Sequence, residues 1–178
     1  MKKALVPIAD GTEELEAITL VDVLRRAGAD LTIASVKKGL SVRAAHDTMI
    51  TADKSIRECR QTYDLIVLPG GMPGAENLRD DPDLTKMLKE QATSGRYYAA
   101  ICASPAIVLG HHGLLQNKKA TAYPGFMESP ATGRVVKDEN CITSQGPATA
   151  FEFALRLTEI LFGSPMAQQV AKEMLYPV

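Results

Sequence analysis

Short, almost unbroken apolar runs alternate along the chain with longer stretches in which apolar residues recur every three or four positions. The short runs predict strands at Ala4–Ala9, Leu31–Val36, Asp64–Pro69, Tyr97–Ile101, Lys119–Tyr123 and Cys141–Ser144. Runs such as ALVPI and LIVLP carry no polar alternation, as expected for parallel strands covered on both faces. The intervening helices have readable ends. Asp81 and Pro82 suit the N-cap and first turn of a helix over about Asp83 to Ser94, and Gly95 suits its stop. Gly163-Ser164-Pro165 ends one helix and begins another. From Gly39 to Ala52 the rhythm breaks into loose alternation, which predicts a small hairpin or irregular insertion. The pattern as a whole predicts an α/β three-layer sandwich with a mainly parallel sheet. Sites in such folds form beyond the carboxyl ends of the strands, so each chemical motif is judged by whether it falls there.

Composition narrows the picture only a little. The chain has 178 residues and is expected to form a single domain over residues 1–178. Its formal charge of −1 gives no global pull toward nucleic acid or membrane, and it has no Trp and few aromatics for stacking on bases. The start, MKKALVPIADG, is too short in apolar residues for a secretory signal, which leads to the expectation of a soluble cytoplasmic protein. Cys59, Cys102 and Cys141 are odd in number and lack C-x-x-C spacing, so neither a disulfide framework nor a metal site is expected.

Cys102 lies between the strand YYAAI and the helical pattern that starts at ASPAIVLG. A thiol at such a joint meets unpaired backbone N–H groups and the positive end of a helix, and both favour its thiolate. The small neighbours Ala99, Ala100 and Ala103 leave room for a crowded turn, and Pro105 suits the helix opening. A buried structural cysteine fits the same position. In ADGTEELEA, Asp10 or Thr12 can cap a helix, and Glu13 and Glu14 complement its dipole. Glu16 differs, because it shares an apolar stripe with Leu20, Val23 and Ala27. Burial there raises its pKa, and a protonated carboxyl beside a thiolate can donate a hydrogen bond and shuttle a proton. The loop LPGGMPGAENL matches neither phosphate-binding glycine pattern. Its glycines instead let the N–H of Gly71, together with that of Ala103, form an oxyanion hole. His111 and His112 suit a helix end, whereas His46 falls in the insertion.

The stretches ADGTEELEA, VDVLRRAGA, YDLIVLPGG, AAICASPA and TSQGPATAFEFAL, in this order, resemble the ThiJ/PfpI superfamily, nearest its DJ-one subgroup. The resemblance implies a flavodoxin-like sandwich, usually homodimeric, with a reactive cysteine at Cys102. It also implies a protonated glutamate at Glu16 and oxyanion N–H groups at Gly71 and Ala103. The implied activity needs no cofactor: a glyoxalase or deglycase that takes a small reactive carbonyl such as methylglyoxal to lactate. Redox sensing, through oxidation of the cysteine to a sulfinate, and chaperone action are implied as alternatives. The chain departs from the family at three places. Tyr123 in TAYPG stands where many members have histidine, Gln145 in TSQGP replaces an arginine, and Ala103 replaces the histidine of the protease branch. The last departure argues against peptidase activity. Tyr123 and His46 complete the candidate pocket.

Overall fold

A computed structural model describes residues 1–177. The apolar runs form β1 (Lys3–Ile8), β2 (Asp30–Ser35), β6 (Leu65–Leu68), β7 (Tyr97–Ile101) and β9 (Cys141–Ser144). β5 (Lys54–Ser55) and β8 (Val135–Asp138) take the two edges of the sheet. The strand order is β5-β2-β1-β6-β7-β9-β8, and every pairing is parallel except β8 with β9. Helices α1 (Glu14–Arg26), α2 (Gly74–Arg79), α3 (Pro82–Thr93), α4 (Ala150–Phe162) and α5 (Ser164–Glu173) complete the chain order. Two apolar clusters line the sheet. One joins it to α1 and α4 through residues such as Leu20, Leu24, Phe153 and Leu157, and the other lies toward α2 and α3 through Leu78, Leu84 and Leu88. This is the flavodoxin-like three-layer α/β sandwich. Among the described residues, no helix is long and apolar enough to cross a membrane.

Three expectations change. Lys119–Tyr123 is not a strand. Its backbone is spent on other partners: Lys119 N–H on the Asp138 carboxylate, Thr121 N–H on Thr143 Oγ1, and Tyr123 N–H on the Cys102 carbonyl. The sheet edge goes instead to β8, whose half-buried VVKD lacks the apolar run that marks a covered strand. The helix after Cys102 is a short π-type segment, Pro105–Gly110, where an α-helix was expected. Neither Asp10 nor Thr12 caps α1. Asp10 is taken by Lys37 Nζ and Arg43 N–H, Thr12 Oγ1 accepts from Ala9 N–H, and Glu13 occupies the cap.

Other expectations hold. The insertion is an antiparallel hairpin of β3 (Ser41–Arg43) and β4 (Met49–Thr51), held over the start of α1 by Gly11 N–H to Arg43 O and Ala45 N–H to Thr12 O. Asp81 caps α3 through a 2.8 Å bond from Leu84 N–H, and Gly95 stops that helix at φ +75°.

Candidate active site

Cys102 follows β7 directly and takes a left-handed backbone, φ +64°, which a non-glycine residue adopts only at a cost. The neighbouring strand and the loop at 119–123 hold it there. Its N–H donates to Ser144 O at 3.1 Å, and its carbonyl accepts from Tyr123 N–H at 2.8 Å. Ala103 and Ser104 are fully buried, and Ser104 Oγ donates to Pro69 O at 2.6 Å, tying the turn to the end of β6. The result is a partly buried thiol at the carboxyl edge of a central strand.

Glu16 reaches the same point from the first turn of α1. The stripe predicted for it is present: Glu16, Leu20 and Val23 are completely buried and Ala27 nearly so. Gly70 N–H donates to Glu16 Oε2 at 2.7 Å, while Oε1 is buried with no hydrogen-bond partner. The carboxyl and the Cys102 side chain are neighbours packed around Gly70, and each influences the other's titration. Burial raises the Glu16 pKa to about 7; the Gly70 N–H pulls the other way and the Glu13 charge adds to the rise.

For Cys102 the expected lowering does not appear. Burial pushes the thiol up to about 12, the Glu16 charge adds to the rise, and the N–H groups of Gly71 and Ala103 oppose it. Partial burial and the Glu16 charge together outweigh the two N–H groups at the turn. The two groups therefore titrate as a pair, whose first proton leaves near pH 7 and whose second leaves near 12.

The N–H groups of Gly71 and Ala103, named from the sequence, both act to lower the pKa of the Cys102 thiol. Gly71 has φ +89° and packs against the backbone of Gly11, Thr12 and Glu13. Gly70 is a functional position that sequence reasoning missed. A Cβ there would stand 2.5 Å from Cys102 Cβ and 2.9 Å from Glu16 Oε2. The doubled glycine was the available signal.

Tyr123 sits beside the elbow through its backbone bond, with its ring half exposed. His46 lies in the hairpin connection, with its N–H and ring on the Glu14 carboxylate and Glu13 also within 3.4 Å. These three side chains bring potential metal-ligand atoms within 4.8 Å of one another, a grouping that spacing along the chain did not suggest. His112 bonds Arg79 O and Thr85, serving the connection between α2 and α3.

The profile of the DJ-1/PfpI family matches residues 2–160. The chain belongs to the DJ-1/PfpI family. Protein DJ-1 homolog A of Arabidopsis thaliana is 46% identical over 98% of this chain and 46% of its own length. The chain thus spans less than half of the Arabidopsis relatives it matches. The Danio rerio Parkinson disease protein 7 homolog is 40% identical, with 95% of this chain and 94% of that protein covered. A Caenorhabditis elegans relative, 33% identical over 97% of this chain and 96% of its own, is named glutathione-independent glyoxalase DJR-1.2. Among solved structures, Toxoplasma gondii DJ-1, described as oxidized, superposes with a TM-score of 0.98 at 47% identity, covering all of both chains.

Proposed function

We propose that this member is a cofactor-independent glyoxalase that converts small α-oxoaldehydes such as methylglyoxal to 2-hydroxy acids. The observation that carries this reading is a partly buried thiol and a fully buried carboxyl packed together around Gly70, with the N–H groups of Gly71 and Ala103 favouring the thiolate. The glyoxalase name of the nematode relative supports it.

Above pH 7 the pair keeps one proton. On Glu16, that proton gives the partnerless Oε1 a role as donor toward sulfur and leaves the charge on the more exposed group, facing the N–H groups of Gly71 and Ala103. In this form Cys102 is the nucleophile. Sulfur bonds to the aldehyde carbon, the carbonyl electron pair moves to oxygen, and that oxyanion is held by the two N–H groups and protonated by Glu16. The carboxylate so formed removes the C1 hydrogen as a proton, and the electron pair shifts through an enediolate toward the ketone oxygen. Glu16 returns the proton to C2 while the C1 hydroxyl proton passes to the C2 oxygen, leaving a thioester. Water then supplies hydroxide to C1 and a proton to sulfur, so the net change is addition of water. Deglycase action would add one step: the hemithioacetal or hemiaminal collapses, releasing the modified thiol or amine and the free α-oxoaldehyde, which Cys102 then attacks as above.

The test is lactate formation from methylglyoxal by wild type, Cys102→Ala and Glu16→Gln. Wild type is expected to turn over. Cys102→Ala is expected to be inactive, and Glu16→Gln to be slowed by about 10²–10⁴-fold. Equal rates in all three would remove the mechanism.

A second reading is favoured by the partial exposure of Cys102 and by the oxidized state of the Toxoplasma relative. In it, Cys102 is a redox sensor whose thiolate takes one oxygen from each of two hydrogen peroxide molecules, releasing two waters and stopping at a sulfinate. Stoichiometric oxidation without methylglyoxal turnover would favour this reading. Under either reading the family implies a homodimer, which sedimentation would establish.

A further inference from the structure

Next to the backbone of the Cys102 elbow stands an aromatic pair, Tyr123 and Phe126. The segment Ala120–Thr121–Ala122 is buried, and the chain leaves the core at Tyr123, which is 47% exposed. The residue is anchored by its N–H on the Cys102 carbonyl. The following Pro124-Gly125 turn, with Gly125 at φ +90°, brings Phe126 back so that its N–H meets Tyr123 O at 3.1 Å. The two rings meet edge to face, with centroids 6.1 Å apart and planes at 83°, an attractive aromatic geometry. On its other side the Tyr123 ring lies against Gly146, where a Cβ would come within 3.2 Å of Cδ2. Gly146 follows the Ser144 carbonyl that fixes Cys102 by only two positions. The ring is thus held from three sides, yet half of it faces solvent. Phe126 is likewise 37% exposed.

We infer that Tyr123 and Phe126 form a specificity rim selecting α-oxoaldehydes whose ketone carries an aryl group. This rests on the glyoxalase reading above. With C1 at the sulfur, the substituent on C2 must extend out of the elbow. A methyl group covers little of an exposed ring pair, whereas an aryl group can stack on it and remove apolar surface from water. Tyr123 acts through its ring, the part of the side chain that meets Phe126 and Gly146. The reaction itself is unchanged: an arylglyoxal plus water gives the aryl 2-hydroxy acid.

The experiment compares kcat/KM for phenylglyoxal and methylglyoxal in wild type, Tyr123→Ala, Phe126→Ala and Tyr123→Phe. Wild type is expected to favour phenylglyoxal. In Tyr123→Ala that preference should fall by about tenfold, mainly through KM, and Phe126→Ala should fall less. Tyr123→Phe should restore it, which a merely structural hydroxyl would not allow. An unchanged ratio in Tyr123→Ala, or its loss in Tyr123→Phe, overturns the rim. If wild type turns over neither substrate, the glyoxalase reading fails and the rim is read from alkylation alone. Cys102 should then react faster with iodoacetanilide than with iodoacetamide, and Tyr123→Ala should abolish the difference. Equal selectivity in wild type and variant would overturn the rim on that measure too.

Discussion

Glycine 70 shows how closely the site is assembled. It must give an N–H to Glu16 at 2.7 Å while passing so near Cys102 that any Cβ would overlap the cysteine's own. Gly70→Ala is therefore expected to destabilise the fold by about 1–3 kcal/mol, the usual cost of overpacking. It should also slow turnover, since Glu16 and Cys102 would be pushed apart. Denaturant unfolding and methylglyoxal kinetics on one preparation check both effects, and a fully active, fully stable alanine variant would contradict the geometry. The same closeness explains why the thiol is not simply activated by its position. Partial burial and a neighbouring carboxyl both resist a second charge, so reactivity belongs to the pair.

Elements deliver these groups from separate parts of the chain. β7 ends at the elbow, α1 carries Glu16, and the loop after β6 brings Gly70 and Gly71. Helix ends remote from this convergence should affect stability alone. Asp81→Ala, which removes the cap of α3, is expected to cost about 1 kcal/mol and to leave kcat unchanged. Thermal unfolding and steady-state rates would reveal any coupling to the site. Much of this level was legible beforehand, because covered parallel strands and an amphipathic stripe are local patterns. Glu16 stood out for that reason, as an acid on an apolar face. What was not legible depended on partners distant in sequence. Lys119–Tyr123 is as apolar as a strand, but Asp138, Thr143 and Cys102 claim its N–H groups. β8 carries no apolar signal because it is an edge. The capping role of Thr12 was lost to Ala9, and the meeting of His46 with Glu13 and Glu14 needed the hairpin to fold across α1.

At the scale of the whole molecule, the buried carboxyl ties stability to pH. The Glu16–Cys102 pair gives up its first proton at about 7 when folded, against 4.5 for an ordinary carboxyl, so the folded state holds this proton more tightly whichever group keeps the second one. The stability it contributes is fully present below 4.5 and is lost as pH rises through 7, by roughly 3 kcal/mol in total. Glu16→Gln should therefore gain stability relative to wild type between pH 5 and 8, as measured by urea unfolding; a constant difference would mean that the carboxyl is not raised. The same proton decides the chemistry, and one measurement reads it at the sulfur: the rate of Cys102 alkylation by iodoacetamide against pH, followed by intact mass. A thiolate stabilised by protonated Glu16 predicts a rise centred near pH 7 and a plateau by pH 9. A rate that stays at the protonated-thiol level to pH 9 and climbs only toward 12 would put the proton on sulfur and contradict the pair as a catalyst.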